Sequence, residues 1–246
     1  MDCTILGTGA AIPTADRVQT GYLFETPDGS ILLDCGSGVM HRLSQLNVQL
    51  TDIEYILLSH THLDHIADLP SLAKARYLQD STNLTIIGPI GTATDINPLF
   101  QIDNLDSRMD ISIEELPIGT HTLGPIAFQT FETIHSRTTY AYRFGDALGI
   151  TGDGEATPEL YSFFDGVEVL IADCAYAEGE TPENHPTPSA LANALEASDP
   201  NIESLYLTHF YPEAANRADE AKAIVQEATD ATVHIASDLD TIALED

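Results

Sequence analysis

Residues 57–70 read LLSHTHLDHIADLP, and no other stretch restricts the fold of this chain as much. It overlaps the run YILLS at 55–59, which is apolar throughout and too short for a helix, as in a strand buried on both faces. His60, His62, Asp64 and His65 then fall within six consecutive positions at the end of that strand. In extended chain, side chains at i and i+2 point the same way, so His60 and His62 address one point. Asp64 and His65 lie at the turn into a helix, where the curving backbone can aim them at a neighbouring point. A lone histidine there would be capped or solvated. Imidazole nitrogens and a carboxylate together suit zinc, iron or manganese, and one such cluster can serve two adjacent ions.

The rest of the chain alternates short apolar runs with helical stretches. CTIL (3–6), GYLFE (21–25) and SILLD (30–34) read as strands, the last two joined by a TPDG turn. A helix is expected over 36–46 and another over 66–78, with Pro70 in its first turn or at its start. TIIG (85–88), a helix over 91–101 and ISIEEL (111–116) follow. IAFQTFETI (126–134), TYAYRF (139–144), LGITGD (148–153) and VEVLIADC (167–174) are four further strands. A helix over 188–197, SLYLTHF (204–210), a helix over 213–228 and TVHIA (232–236) complete the pattern. Hairpins first and alternating strands and helices later imply mixed sheets covered by helices, as one continuous unit over 1–246. The Pro-rich ETPENHPTP (180–188) is short enough to be an ordered surface loop.

No apolar run approaches the roughly 18–20 residues of a membrane span. The opening MDCTILGTGAAIP lacks the cationic and long apolar regions of a signal peptide, so the expectation is a soluble, cytoplasmic chain. Cys3, Cys35 and Cys174 are widely spaced, form no CxxC and read as buried small hydrophobes. The charge is the unusual quantity: 39 acidic residues against 9 basic ones, a net −30, with Lys74 and Lys222 the only lysines. Such a surface repels phosphate polymers and anionic membranes. Few lysines with an excess of acids also suggests a protein adapted to high salt, an acidic protein whose carboxylates hold hydrated cations.

HTHLDH resembles the HxHxDH signature of the metallo-β-lactamase fold superfamily, and the likeness extends over essentially the whole chain. LGTGAAIP, TGYLFE, LLDCGSG, TGDG, LIADCAY, HPTPSALANAL and LTHFYP, in that order, are similar to its RNase Z and phosphodiesterase branch. The resemblance implies an αββα sandwich of two mixed β-sheets flanked by helices, with the metal site at one edge of the sheets. It implies that His135 joins His60 and His62 on a first ion, that His209 joins Asp64 and His65 on a second, and that Asp153 bridges the two. It further implies Asp34 as support for the histidine loop, with helix capping as the ordinary alternative. Asp173 and His185 match a pair near the leaving group, and Asp64 counts with them among the catalytic residues; a surface-loop role is the alternative for His185. The GTG at 7–9 is better explained by a tight turn than by a phosphate loop. Ser136 and Arg137 adjoin His135 and are weaker candidates for contact with a phosphate. His41, His121 and His234 stand outside every motif.

The cofactors implied are two divalent metal ions, Zn²⁺ first and Mn²⁺ or Fe²⁺ next, holding a hydroxide between them. The chemistry that suits such a site is hydrolysis of small phosphodiesters or cyclic nucleotides. The alternatives are an RNase Z-type tRNA 3′-processing endoribonuclease and a lactonase or thioesterase using the same ions. Pre-tRNA-processing members carry a long arm between the third histidine and the bridging aspartate, yet only 17 residues separate His135 from Asp153. Ala172 stands where many RNase Z proteins have a histidine. Together with the scarcity of cations, this disfavours a nucleic acid polymer as partner. Relatives of this kind form homodimers, which the resemblance extends to this chain. If the acidic surface is a salt adaptation, screening should relieve its self-repulsion. A gain of about 2 kcal/mol between low and molar salt would raise Tm by about 4–8 °C in a chain of this size. A thermal melt whose midpoint does not move over that range would reject the adaptation.

Overall fold

The short apolar runs become strands buried on both faces, which requires a covering layer on either side of each sheet. The computed structural model describes residues 2–26, 29–123 and 126–244. In chain order the first seven strands are β1 (Asp2–Gly7), β2 (Gly21–Thr26), β3 (Gly29–Leu33), β4 (Ile53–Leu57), β5 (Asn83–Gly88), β6 (Asp110–Glu115) and β7 (Thr120–Leu123). The remainder are β8 (Ile126–Glu132), β9 (Tyr140–Phe144), β10 (Leu148–Ile150), β11 (Val169–Asp173), β12 (Ser204–Thr208), β13 (Thr232–Ile235) and β14 (Thr241–Ala243). The helices of the first half are α1 (Val39–Gln45), α2 (Leu63–Ile66), α3 (Leu69–Tyr77) and α4 (Thr92–Gln101). Those of the second are α5 (Pro158–Phe163), α6 (Pro188–Ser198), α7 (Pro212–Asn216) and α8 (Ala218–Gln226).

The described strands form two seven-stranded sheets, in the orders β14-β1-β2-β3-β4-β5-β6 and β13-β12-β11-β10-β9-β8-β7. In the first, β14, β1, β2 and β3 pair antiparallel and β3 through β6 parallel. In the second, β7 through β10 pair antiparallel and β10 through β13 parallel. Phe24, Leu57, Phe128, Tyr142, Phe144 and Ile171 fill the space between the sheets. Leu43, Leu69, Leu72 and Phe100 seal helices onto the outer face of the first sheet. Leu160, Leu191, Leu195 and Val225 do the same for the second. Helix, sheet, sheet, helix is the αββα sandwich implied by the sequence. The carboxyl ends of the parallel strands are where such sheets open a crevice, and β4, β11 and β12 end there on the site residues.

Several expectations shift in detail. Pro70 does sit in the first turn of α3. β8 stops at Glu132 and β10 at Ile150, so His135 and Asp153 lie in the loops beyond them rather than at the strand ends. The helix expected over 213–228 breaks at Arg217, whose backbone leaves helical geometry (φ −115°, ψ 21°) while its guanidinium donates to the Glu178 carbonyl at 3.0 Å. β7, β14 and α5 carry no run that marked them in advance, although Thr157 caps α5 and Pro158 opens it. The tip of the TPDG turn, residues 27 and 28, lies outside the described residues; Thr26 and Gly29 on either side are in register.

Candidate metal centre

The histidine loop is held from beneath by one buried carboxylate. Asp34 follows β3 directly and adopts φ 60°, a left-handed conformation that a short polar side chain tolerates better than most. Its Oδ1 accepts the Ser59 amide at 2.8 Å, and its Oδ2 accepts the Ser59 hydroxyl at 2.7 Å and His65 Nδ1–H at 2.8 Å. Asp34 caps no helix, because α1 begins at Val39 with no side-chain cap. Gly36, two residues on, passes so close to the Asp64 carbonyl that any Cβ there would collide with it. The LLDCGSG motif is thus the seat on which HTHLDH rests.

Hydrogen bonding sets the histidine tautomers. Ser59, having given its proton to Asp34, accepts His60 Nδ1–H at 3.1 Å. Thr20, which donates to the Gly9 carbonyl, accepts His209 Nδ1–H at 2.9 Å. His135 Nδ1–H donates to the Asn184 carbonyl at 3.1 Å. His60, His65, His135 and His209 are therefore all anchored through Nδ1 and turn Nε2 inward. His60 Nε2 and His209 Nε2 are buried without any hydrogen-bond partner. A buried imidazole nitrogen left bare in a polar site needs an explanation, and a ligand lone pair aimed at a cation supplies one.

The inward atoms form two groups that share one residue. Ligand atoms of His60, His62, His135 and Asp153 lie within 4.8 Å of one another, and so do those of Asp64, His65, Asp153 and His209. Asp153 Oδ2 is 3.2 Å from His65 Nε2, 3.3 Å from His209 Nε2 and 3.6 Å from His60 Nε2. His62 Nδ1 is 3.1 Å from His135 Nε2, and Asp64 Oδ2 is 3.8 Å from His209 Nε2. All seven candidate ligands named from the sequence come together, in the division expected. The donor set, imidazole nitrogens with carboxylates and no thiolate, fits a divalent metal ion.

The electrostatics agree. Burial lowers His60 well below the ordinary imidazole range, with His65 adding to the effect, and burial also lowers His62 and His135, so these three are neutral, the form that binds metal. Burial opposes the charge on His65 too, but the Asp153 and Asp34 carboxylates prevail and raise it well above that range. Burial would raise Asp153, yet His209 and His65 hold its carboxyl well below the usual range. A dication entering this group takes over the charge that the His65 proton supplies, so binding releases protons.

His185 and Asp173 stand against the cluster. Asp173 ends β11, and its Oδ2 accepts His185 Nδ1–H at 2.8 Å. The His185 ring is 5.0 Å from that of His135 and stacks on that of His209 at 5.4 Å. Burial opposes its protonation, but Asp173 outweighs burial and carries the pKa up to about 9.

The remaining expectations resolve as follows. Thr8 of the GTG gives both its amide and its hydroxyl to Asp238, at 2.9 and 2.6 Å, and the Gly9 amide goes to Val18. A turn is therefore what GTG builds, and Gly7 is required because a Cβ would strike the Gln19 carbonyl. Ser136 Oγ reaches His62 Nε2 at 3.4 Å, whereas Arg137 bonds Asp95. His121 donates to the Pro117 carbonyl, His234 stacks on Tyr206, and all three cysteines are buried and free. Ser59, Thr20 and Asn184 could not be named from the sequence as partners of the histidines, since hydroxyls and a loop carbonyl have no spacing signature.

Fold and site together define a metal-dependent hydrolase of the metallo-β-lactamase fold. Residues 1–229 match the family model described as Anti-Pycsar protein Apyc1, and the chain belongs to that family. It is 28% identical to the protein named Probable metallo-hydrolase YhfI of Bacillus subtilis (strain 168) over 217 residues, 85% of this chain and 86% of that protein. The crystal structure of YhfI superposes with a TM-score of 0.83 at 24% identity, covering 98% and 99% of the two chains. A Ribonuclease Z of Listeria monocytogenes serovar 1/2a is 27% identical, over 90% of this chain and 78% of its own. A diphosphatase from the PhnP family shares the fold at a TM-score of 0.78 and 16% identity, covering 99% and 98%.

Asp34 touches no inward ligand atom, only the far side of the ligand loop. Asp34→Ala should therefore weaken metal binding by about 10–100-fold through loss of ring orientation. Competition against a chromogenic chelator measures this, and unchanged affinity in the folded variant would show that Ser59 alone orients the loop.

Proposed function

We propose that the protein hydrolyses small phosphodiesters, cyclic nucleotides among them, at two divalent ions, Zn²⁺ in the first instance. The observation that carries the reading is the Asp173–His185 pair set against a seven-ligand cluster: an imidazolium held at the wall of a site whose other residues converge on metal. His60, His62, His135 and Asp153 would hold one ion, and Asp64, His65, His209 and Asp153 the other. Ions bound there supply Lewis acidity, lowering the pKa of water and polarising a phosphoryl oxygen.

The protein's own part lies in the leaving group. An alkoxide is a poor leaving group unless a proton reaches it, and a positioned acid is worth about 10²–10⁴ in rate. With Nδ1–H committed to Asp173, His185 has Nε2–H to give, and its pKa of about 9 keeps it charged at neutral pH. Asp173 keeps the ring in that tautomer and, by favouring the imidazolium, draws a proton from solvent back onto Nε2 after each turnover. Asp64, Asp173 and His185 make up the catalytic set.

A polymeric RNA substrate has little to hold. Arg76 is fully buried and donates to the carbonyls of Leu50 and Asn83. Arg17 and Arg42 are tied to the 236–238 segment, and Arg143 to the 163–165 turn. Four of the nine cations thus brace the fold, and the 17 residues between His135 and Asp153 hold β9 and β10. Hydrolysis of carbonyl esters by the same ions is the competing activity, and a panel of cyclic nucleotides, aryl phosphodiesters, lactones and 3′-extended tRNA separates them.

His185→Ala should slow alkyl diesters about 10²–10⁴-fold while sparing diesters with a nitrophenolate leaving group, at unchanged metal content. In the wild type, turnover of alkyl diesters should fall as pH rises through about 9, where the imidazolium is lost, with no such limb for nitrophenyl esters. Equal slowing of both classes, or of neither, would remove His185 from the role of acid.

A further inference from the structure

Beside the histidines of the first group lies a second recess that the ligand cluster does not use. It is a cleft of about 450 Å³ between the start of α4 and the loop carrying His135, lined among others by Ile90, Gly91, Thr94, Asp95, Ser136 and Arg137. That volume falls in the range of about 300–1,000 Å³ occupied by small-molecule sites. Ser136 joins the two spaces, since it lines the cleft and its hydroxyl lies 3.4 Å from His62 Nε2.

The cleft holds one cation in a fixed pose. Arg137 NH1 donates to Asp95 Oδ2 at 2.6 Å and approaches the Thr61 hydroxyl at 3.3 Å, and Thr61 itself donates to the same Asp95 oxygen at 2.5 Å. Thr61 stands between His60 and His62 but turns away from them to Asp95. The pair is thus tied to Thr61 and bonds none of the converging nitrogens among the described residues, a step removed from the reacting centre. An exposed ion pair of this kind contributes little to stability, so its effect is to orient. With NH1 committed, the Nε and NH2 edge of the planar guanidinium finds no hydrogen-bond partner among the described residues. Two parallel donors in that arrangement match a pair of acceptors on a flat group. Ile90, 62% exposed, supplies an apolar wall on which such a group can lie, and Gly91 has open space where a side chain would stand.

We propose that this cleft is the subsite for the part of the substrate beyond the scissile phosphate, and that Arg137, positioned by Asp95, determines specificity there by donating to the acceptor edge of a planar heterocycle such as a nucleobase. The inference rests on the phosphodiesterase reading above and adds the side of the site on which the nucleoside lies. Arg137 then acts on binding and selectivity, with no part in bond breaking.

Two esters with the same leaving group isolate this effect: methyl 4-nitrophenyl phosphate and 2′-deoxyguanosine 5′-(4-nitrophenyl phosphate), whose guanine offers the adjacent acceptors O6 and N7, assayed with the metal-loaded full chain. The wild type should favour the deoxyguanosine ester at least 10-fold in kcat/KM. Arg137→Ala should abolish that preference through KM, leaving the methyl ester within 2-fold and the metal content unchanged, and Asp95→Asn should do so partially. Equal loss on both esters would mean that Arg137 only shapes the His135 loop, and a surviving preference would place the nucleoside elsewhere; either result overturns the proposal. If the wild type cleaves neither ester, the phosphodiesterase reading fails by itself, and calorimetry with free 2′-deoxyguanosine decides the cleft. Binding lost in Arg137→Ala supports the subsite, whereas equal binding, or none to either protein, overturns it.

Discussion

A single buried carboxylate brings the two halves of the molecule together. Asp153, from the second sheet, places one oxygen within 3.2–3.6 Å of inward nitrogens from His60 and His65 on the first sheet and His209 on its own. A charge buried this deeply costs several kcal/mol unless opposite charge and hydrogen bonds compensate it. Here the compensation comes from loops at the ends of β4, β10 and β12, so the edges of the sheets must meet at this point. The backbone yields to allow it. Gly152 takes a left-handed φ of 61° just before the aspartate, and His209 takes φ 62° although it is not glycine. Strain of about 1–3 kcal/mol at such a residue persists only where the surroundings impose it, and the Thr20 bond to its ring together with the bridge between Gly9 and Phe210 does so.

That convergence explains the division of labour along the chain. The antiparallel half of each sheet closes the sandwich, while the parallel halves deliver polar residues to the crevice. The apolar layers carry the stability, and the loops, relieved of that task, hold residues that stability alone would not select. Asp34 illustrates the link: it sits in the turn after β3, costs a left-handed backbone, and in return fixes Ser59 and His65 at once.

Much of this was legible in the sequence where chemistry and spacing coincide. Mixed sheets covered by helices followed from runs such as YILL and VLIAD, apolar on both faces, whereas the αββα sandwich and the full set of seven ligands came with the resemblance carried by HTHLDH and the motifs around it. What could not be read depends on contacts distant along the chain. The strand 241–243 is three residues with a single buried side chain, and it exists because β1 offers it an edge. The strand 120–123 has no fully buried residue to mark it. The break at Arg217 comes from a carbonyl 39 residues away and not from any local helix breaker. The bond from Arg137 to Asp95 spans 42 residues, and it turned a residue expected near phosphate into the wall of an adjacent cleft.

In the proposed site Asp153 would be shared between two ions. Anomalous diffraction at the zinc edge, from crystals of zinc-loaded protein, tests it most directly. Two peaks per chain are expected with the Asp153 carboxylate between them, one beside His60, His62 and His135, the other beside Asp64, His65 and His209. A single peak at full loading, or two peaks of which only one contacts Asp153, would contradict it.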